Sequence, residues 1–277
     1  MNWHLHFLGV GAAHAVELGS SSAVLERNGE PLLLIDCGPD TLDRYQSAYG
    51  RPPSALFITH THMDHVAGLE RLFFRLWFDE ALRGTTKVFL HAALLPWLQA
   101  RVADYPGALA EGGVNYWEAF RLVPCTRGFW LEGLWFDVFG TRHHAPGTSY
   151  GVALDGSFVY TGDTRPIPEV LGRYAGGPEL IAHDCGLIGN PSHTGVDDLE
   201  REYTASLRAQ CLLYHYGSTA DGAALASRGF RVAGSDERVA LATPASPRAD
   251  AGGAEQHSLA CKRPGRYPSA SLSGRMA

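Results

Sequence analysis

The chain has 277 residues, 45% hydrophobic and only 19% charged, enough apolar material for a sizeable core and too few charges for general disorder. Lys and Arg number 23 against 29 Asp and Glu; five basic and two acidic residues lie in 243–277, so residues 1–242 carry 18 against 27, a net of −9. A body that acidic argues against a general nucleic-acid binder, whose affinity comes largely from Lys and Arg on phosphates, and 32 Gly with 16 Pro argue against an all-helical bundle.

Strand signals open the chain. Residues 5–10, 22–27 and 31–36 alternate or run apolar over strand length, and a helix is expected at 40–49 with Asp40 capping its first turn. The apolar ALFI at 55–58 is a short buried strand that runs directly into THTHMDH. Residues 68–82 read as a helix with Leu69, Leu72, Phe73, Leu76 and Trp77 on one face. A strand at 87–90, a helix at 92–103 disturbed by Pro96, and a loop at 105–113 come next. Strands at 120–124, 134–140, 149–155 and 158–161 follow with short connections. The last third alternates: strand 180–184, helix 197–207, strand 211–214, helix 221–228, strand 229–233 and a strand at 239–241. Strand runs followed by α/β alternation in each half predict two packed sheets with helices outside.

From Thr243 onward 20 of 35 residues are Ala, Ser, Gly or Pro, so a folded domain at 1–242 and a disordered tail at 243–277 are expected. The five cysteines, at 37, 125, 185, 211 and 261, form no Cys-x-x-Cys pair, which excludes a thiolate zinc finger and a disulfide framework. With no signal peptide and no 18-residue apolar run, the expected location is the cytoplasm.

The 13 histidines carry the functional signal. His60-Thr-His62-Met-Asp64-His65 offers four metal ligands within six residues. His60 and His62, two apart on an extended strand end, project to the same side; Asp64 and His65 follow on the turn before a helix, where they can reach a second point. Imidazole suits zinc and iron, while carboxylate suits harder ions and can complete a second site. His14, His91 and His183 are read as structural or peripheral, His14 being the nearest of them to a pocket.

This pattern resembles the His-x-His-x-Asp-His signature of the metallo-β-lactamase fold superfamily, and His143-His144, TGDT at 161–164 and YHYGS around His215 follow in the family's order. The resemblance implies an αββα sandwich, two mixed sheets flanked by helices, with a dinuclear metal site at their edge. It implies that His60, His62 and one of His143 and His144 hold the first metal. Asp64, His65 and His215 would hold the second, and Asp163 would bridge. His144 is preferred, because the Ala-Pro-Gly after it resembles the segment following the family ligand. Two divalent ions are expected, with zinc the default and iron or manganese compatible.

Within the superfamily, FLGVGAAH at 7–14, SSSAVLE, LLLIDCG, IAHDCGL at 181–187, NPSHTGVDDL at 190–199 and LLYHYGS look like the tRNase Z and phosphodiesterase branch. That resemblance makes His193 the proton donor to the leaving alkoxide, steadied by Asp184. Asp64 is counted with them among the residues carrying the chemistry as well as among the ligands. No basic, glycine-rich arm for gripping RNA is present. The expected activity is therefore hydrolysis of a small phosphodiester, cyclic or nucleotide-like, by metal-bound hydroxide. The alternative is a lactonase- or thioesterase-type hydrolase at the same site; a non-catalytic metal-binding protein ranks below both. The expected partner is a small-molecule substrate rather than nucleic acid, no membrane association is expected, and a homodimer is compatible with the resemblance, since the branch often forms them.

Overall fold

The structure, a computed structural model, describes residues 1–110 and 112–245. The first half supplies β1 (Trp3–Gly9), β2 (Ser22–Arg27), β3 (Glu30–Ile35), β4 (Ala55–Ile58), β5 (Lys87–His91) and β6 (Arg121–Cys125). The second half supplies β7 (Gly128–Leu131), β8 (Leu134–Gly140), β9 (Tyr150–Leu154), β10 (Phe158–Tyr160), β11 (Leu180–Asp184), β12 (Cys211–Tyr214), β13 (Arg231–Val232) and β14 (Glu237–Leu241). They form two seven-stranded sheets, in the orders β14-β1-β2-β3-β4-β5-β6 and β13-β12-β11-β10-β9-β8-β7. Each sheet is mixed. In the first, β1, β2, β3 and β14 pair antiparallel while β3, β4, β5 and β6 run parallel. In the second, β7 to β10 are antiparallel and β10 to β13 parallel. The expected sandwich of two mixed sheets flanked by helices is the observed architecture.

The core lies between the sheets, and its aromatic rings tie them together. Phe129 of β7 stacks on Phe57 of β4 and Phe89 of β5, at centroid distances of 5.7 and 4.1 Å, and on Phe136 of its own sheet at 5.1 Å. Phe7 of β1 meets Tyr214 of β12 at 6.1 Å. Because β4, β5, β10, β11 and β12 all belong to parallel runs, the loops leaving their C-terminal ends gather at one rim, where open α/β sheets place their ligands. No helix among the described residues is long and apolar enough to cross a membrane.

Several elements differ from the sequence reading for local reasons. Asp40 does not cap helix Thr41–Tyr49; its carboxylate accepts from the Ser20 backbone N–H at 2.9 Å and from Arg44. The helix expected at 68–82 ends at Trp77, because Asp79 accepts from the Ala81 N–H and starts a turn. Residues 92–103 form a 3-10 turn, the helix Leu95–Leu98 and a π-helical turn, and the loop at 105–113 contains a short hairpin pairing Ala108–Leu109 with Gly112–Gly113. The helix expected at 197–207 is two, Val196–Glu202 and Ala205–Gln210, divided where Thr204 accepts from the Leu207 N–H and starts a new cap. Strand β7 and helix Pro168–Tyr174 were not anticipated. The β7–β8 hairpin is closed by Glu132 and Gly133, both at positive φ (49° and 77°), as a two-residue turn matched to strand twist requires. Beyond Ala245 the expected tail falls outside the described residues.

Phe129→Ala is expected to lower stability by about 3–5 kcal/mol, read as a denaturation midpoint shift at unchanged slope, because it empties the contact between the sheets. Deleting residues 246–277 is expected to leave the midpoint within experimental error. The chain closes on itself before that point through Ser157 Oγ to the Ala242 carbonyl and the Ala245 N–H to the Asp155 carbonyl.

Candidate metal centre

The rim collects its side chains from five segments. His60 leaves the end of β4, His62 precedes the four-residue helix Met63–Val66, and Asp64 and His65 lie on it. His143 follows β8, Asp163 follows β10, Asp184 ends β11, His193 lies in the loop after it, and His215 follows β12. The helix Met63–Val66 is seated on the turn after β3. The Cys37 N–H donates to the His65 carbonyl at 2.7 Å, and the Gly68 N–H to the Cys37 carbonyl at 2.9 Å. Gly38 is required by this approach, since a Cβ there would stand 2.0 Å from the Asp64 carbonyl oxygen.

Among the described residues, three groups of possible ligands share the Asp163 carboxylate, one of them Asp163 with Asp184, His193 and His215, and the other two correspond to the pair that the resemblance implies. His60, His62, His143 and Asp163 form the first and Asp64, His65, Asp163 and His215 the second, each with ligand atoms all within 4.8 Å of one another. In the first, His62 Nδ1 lies 3.1 Å from both His60 Nε2 and His143 Nε2, and Asp163 Oδ2 stands 3.6 Å from His60 Nε2. In the second, His65 Nε2 lies 3.4 Å from Asp163 Oδ1 and from Asp64 Oδ2, and His215 Nε2 lies 3.4 Å from Asp163 Oδ2. Asp163 is 1% exposed and faces both groups.

The far nitrogens are held from behind. His65 Nδ1 donates to Asp36 Oδ2 at 2.8 Å, and His143 Nδ1 donates to the Ser192 carbonyl at 2.9 Å. His60 Nδ1 meets Thr59 Oγ1 at 3.1 Å, and that hydroxyl donates to Asp36 Oδ2 at 2.7 Å. Each bond leaves Nε2 as the atom turned to the centre, the arrangement that metal-ligating histidines use. Asp36, fully buried, thus orients ligands of both groups, and sequence reading did not single it out. Its signal was present in the IDCG segment, where Asp36 adopts a φ of 62° directly after a buried strand.

Charge fits the same reading. Burial holds His60 and His62 below the ordinary imidazole value and pushes His143 down to about 4, so these three are neutral and have lone pairs to give. Burial works against charge on His65 and His215 too, but Asp163, with Asp36 for one and Asp184 for the other, outweighs it. His65 is held well above the usual range and His215 rises to about 10. Protons there compensate carboxylates that a divalent cation would compensate equally well. His65 Nε2, Asp163 Oδ1 and His215 Nε2 are buried atoms without a hydrogen-bond partner, a costly state that coordination relieves. Neutral imidazoles and carboxylates are a donor set for zinc, iron or manganese.

Of the two adjacent histidines left open by the sequence, with His144 preferred, the geometry favours His143. The structure puts His143, 1% exposed, in the first group, while His144 lies outside it with its Nδ1 3.1 Å from Ser192 Oγ. The reason is backbone direction: His144 sits at a φ of 54°, so the turn sends adjacent side chains to different sides. His193 and Asp184 are brought together as expected from the resemblance. His193 Nδ1 donates to Asp184 Oδ2 at 2.9 Å, and the Thr164 N–H donates to the same oxygen at 2.9 Å. Burial lowers the His193 pKa, but the hydrogen bond and charge of Asp184 more than offset it and leave the pKa raised. His62, Asp64, Asp163, His193 and His215 line one cavity of ≈ 430 Å³, whose wall also includes His14, Ile188 and Asp221 and, among the described residues, no Lys or Arg.

The family model for the anti-Pycsar protein Apyc1 matches residues 3–234. The Apyc1 protein of Paenibacillus harenae is 31% identical over 229 residues, 79% of this chain and 91% of the relative. That of Bacillus phage 010DV004 is 26% identical over 237 residues, 77% of this chain and 88% of the relative. Among solved structures, the metallo-β-lactamase fold protein YhfI from Bacillus subtilis superposes with a TM-score of 0.65 at 16% identity, covering 87% of this chain and all of its own. The short form of human tRNase Z gives 0.56 at 17%, covering 88% and 100%. These likenesses give the fold, which is the metallo-β-lactamase fold.

Elemental analysis of metal-loaded protein separates the ligands. Asp163→Ala is expected to lose both ions, His143→Ala about one of two, and His144→Ala neither; loss with His144→Ala and retention with His143→Ala would reverse the assignment.

Proposed function

The chain belongs to the anti-Pycsar protein Apyc1 family, and from that premise we propose that it hydrolyses a small phosphodiester, cyclic or nucleotide-like, at a dinuclear metal centre. The observation that carries this reading is the His193–Asp184 pair beside the two ligand groups. A thioester releases a thiolate that departs without a proton; an alkoxide leaving phosphorus needs one, and a histidine beside the reacting atoms is the side chain to give it.

His60, His62, His143 and Asp163 would hold one ion and Asp64, His65, Asp163 and His215 the other, with zinc the expected metal. When bound, the ions would supply Lewis acidity, lowering the pKa of water and neutralising phosphoryl oxygens. The chain's own residues do the rest. Asp184 occupies His193 Nδ1 and raises the pKa of the imidazole, which leaves Nε2 as the nitrogen that would offer a proton to the departing oxygen. The Thr164 N–H fixes the Asp184 carboxylate, which holds the donor in register with the Asp163 loop. The Asp36 and Thr59 bonds keep His60 and His65 from rotating as charge develops. A cavity of ≈ 430 Å³ with no Lys or Arg among the described residues, in a body of net −9, matches a small substrate better than a long nucleic acid. Buried thiols at Cys37, Cys125, Cys185 and Cys211 accord with a reducing, cytoplasmic setting.

His193→Ala is expected to retain both metals and lose roughly 10²–10⁴-fold in rate on a phosphodiester with an alkyl leaving group. On a nitrophenyl ester the loss should be much smaller, since that oxygen departs unprotonated. Equal losses on the two would place His193 in binding rather than proton donation. Turnover of lactones or thioesters by metal-loaded protein that leaves phosphodiesters untouched would overturn the phosphodiesterase reading itself.

A further inference from the structure

The two loops that deliver His143 and Asp163 to the metal centre also deliver arginines to a second hollow, of ≈ 390 Å³. Arg142 precedes His143, Arg165 follows Asp163 by two residues, and both line this hollow with His144. The loops are tied to each other. The Arg165 N–H donates to the Arg142 carbonyl at 2.8 Å, the Arg142 N–H to Thr164 Oγ1 at 3.0 Å, and Thr141 Oγ1 to the Asp163 carbonyl at 3.1 Å. The His144 ring, which lines the hollow, stands 4.7 Å from that of His62, which lines the main cavity, so this pair of imidazoles lies between the two spaces.

Arg165 is the unusual member. Its Nε is buried without a hydrogen-bond partner, and it makes no ion pair among the described residues. Desolvating that Nε without an acceptor costs stability, and Asp198, the carboxylate on which the Arg165 charge acts, is already engaged by Arg201 and by the Gly195 N–H. Arg142 donates to the Pro166 carbonyl and to Glu169, an exposed pair that an incoming anion can displace. Glu202, the acidic residue in the lining, is already paired with Arg201.

We infer that the hollow is an anion subsite for a phosphate group other than the scissile one, gripped by the Arg165 fork with Arg142 beside it. Planar guanidinium donors match phosphate oxygens two at a time. The inference rests on the phosphodiesterase reading and deepens it, since it names substrates or products bearing a second phosphate. The group is either carried by the substrate or free phosphate, and the same chemistry recognises both.

The test uses the full metal-loaded chain and two esters with one leaving group, thymidine 5′-(p-nitrophenyl phosphate) with and without a 3′-phosphate. Wild type is expected to favour the 3′-phosphorylated ester in kcat/KM by on the order of tenfold or more. Arg165→Gln brings the ratio to about one, and Arg165→Lys, keeping the charge but not the fork, gives an intermediate ratio. A wild-type ratio near one, with a calorimetric binding event for inorganic phosphate that Arg165→Gln abolishes while metals are retained, assigns the subsite to free phosphate. Should Arg165→Gln lose metal, Arg165→Lys decides. An unchanged ratio together with an unchanged phosphate isotherm overturns the subsite. If neither ester is cleaved, the phosphodiesterase reading fails, and the phosphate titration still tests the subsite by itself.

Discussion

A single buried carboxylate sets the terms for the rest of the site. Asp163 is 1% exposed, and desolvation alone would drive it neutral; instead His215, His65 and His60 hold it well below the usual carboxylate range. A charge kept in so dry a place must be compensated on every side. The compensation comes from imidazoles of both sheets, His65 from the loop after β4 and His215 from the loop after β12. Asp163 therefore joins the sandwich at its rim as Phe129 joins it in the core.

The surrounding bonds follow from that requirement. Imidazoles that face a carboxylate must be kept from turning their other nitrogen inward, and Asp36, Thr59, Ser192 and Asp184 do this from behind. Asp184 serves two histidines, since its Oδ1 lies 3.4 Å from His215 Nδ1 while its Oδ2 holds His193. His193 and His215 thus share one carboxylate, and the Thr164 N–H links that carboxylate to the Asp163 loop. Arg165 extends the same loop into the neighbouring hollow, so one backbone segment serves both the Asp163 cluster and that hollow.

How much of this was legible in the sequence depends on how local each feature is. The His60–His65 constellation could be read from spacing alone, because a strand end has period two and a following helix turns the next residues aside. Two sheets could be inferred from the alternation of elements. The choice between His143 and His144 could not, since it hangs on a left-handed backbone at His144 that neither residue type announces. Asp36 escaped notice because its work is done on Thr59 and His65, more than twenty residues away and reached only through the β3–β4 pairing. The helix ending at Trp77 was overextended because apolar periodicity continues through Leu82, while the Asp79 side chain stops the helix by a local bond. Strand β7 is four residues long and half exposed at Trp130, too short for alternation to stand out.

The central claim is that two ions straddle Asp163, and anomalous diffraction from crystals of the metal-loaded protein tests it most directly. The account predicts two peaks ~3.5–4 Å apart on either side of the Asp163 carboxylate, one beside His60, His62 and His143 and one beside Asp64, His65 and His215. A single peak, or one seated among Asp184, His193 and His215, would contradict it.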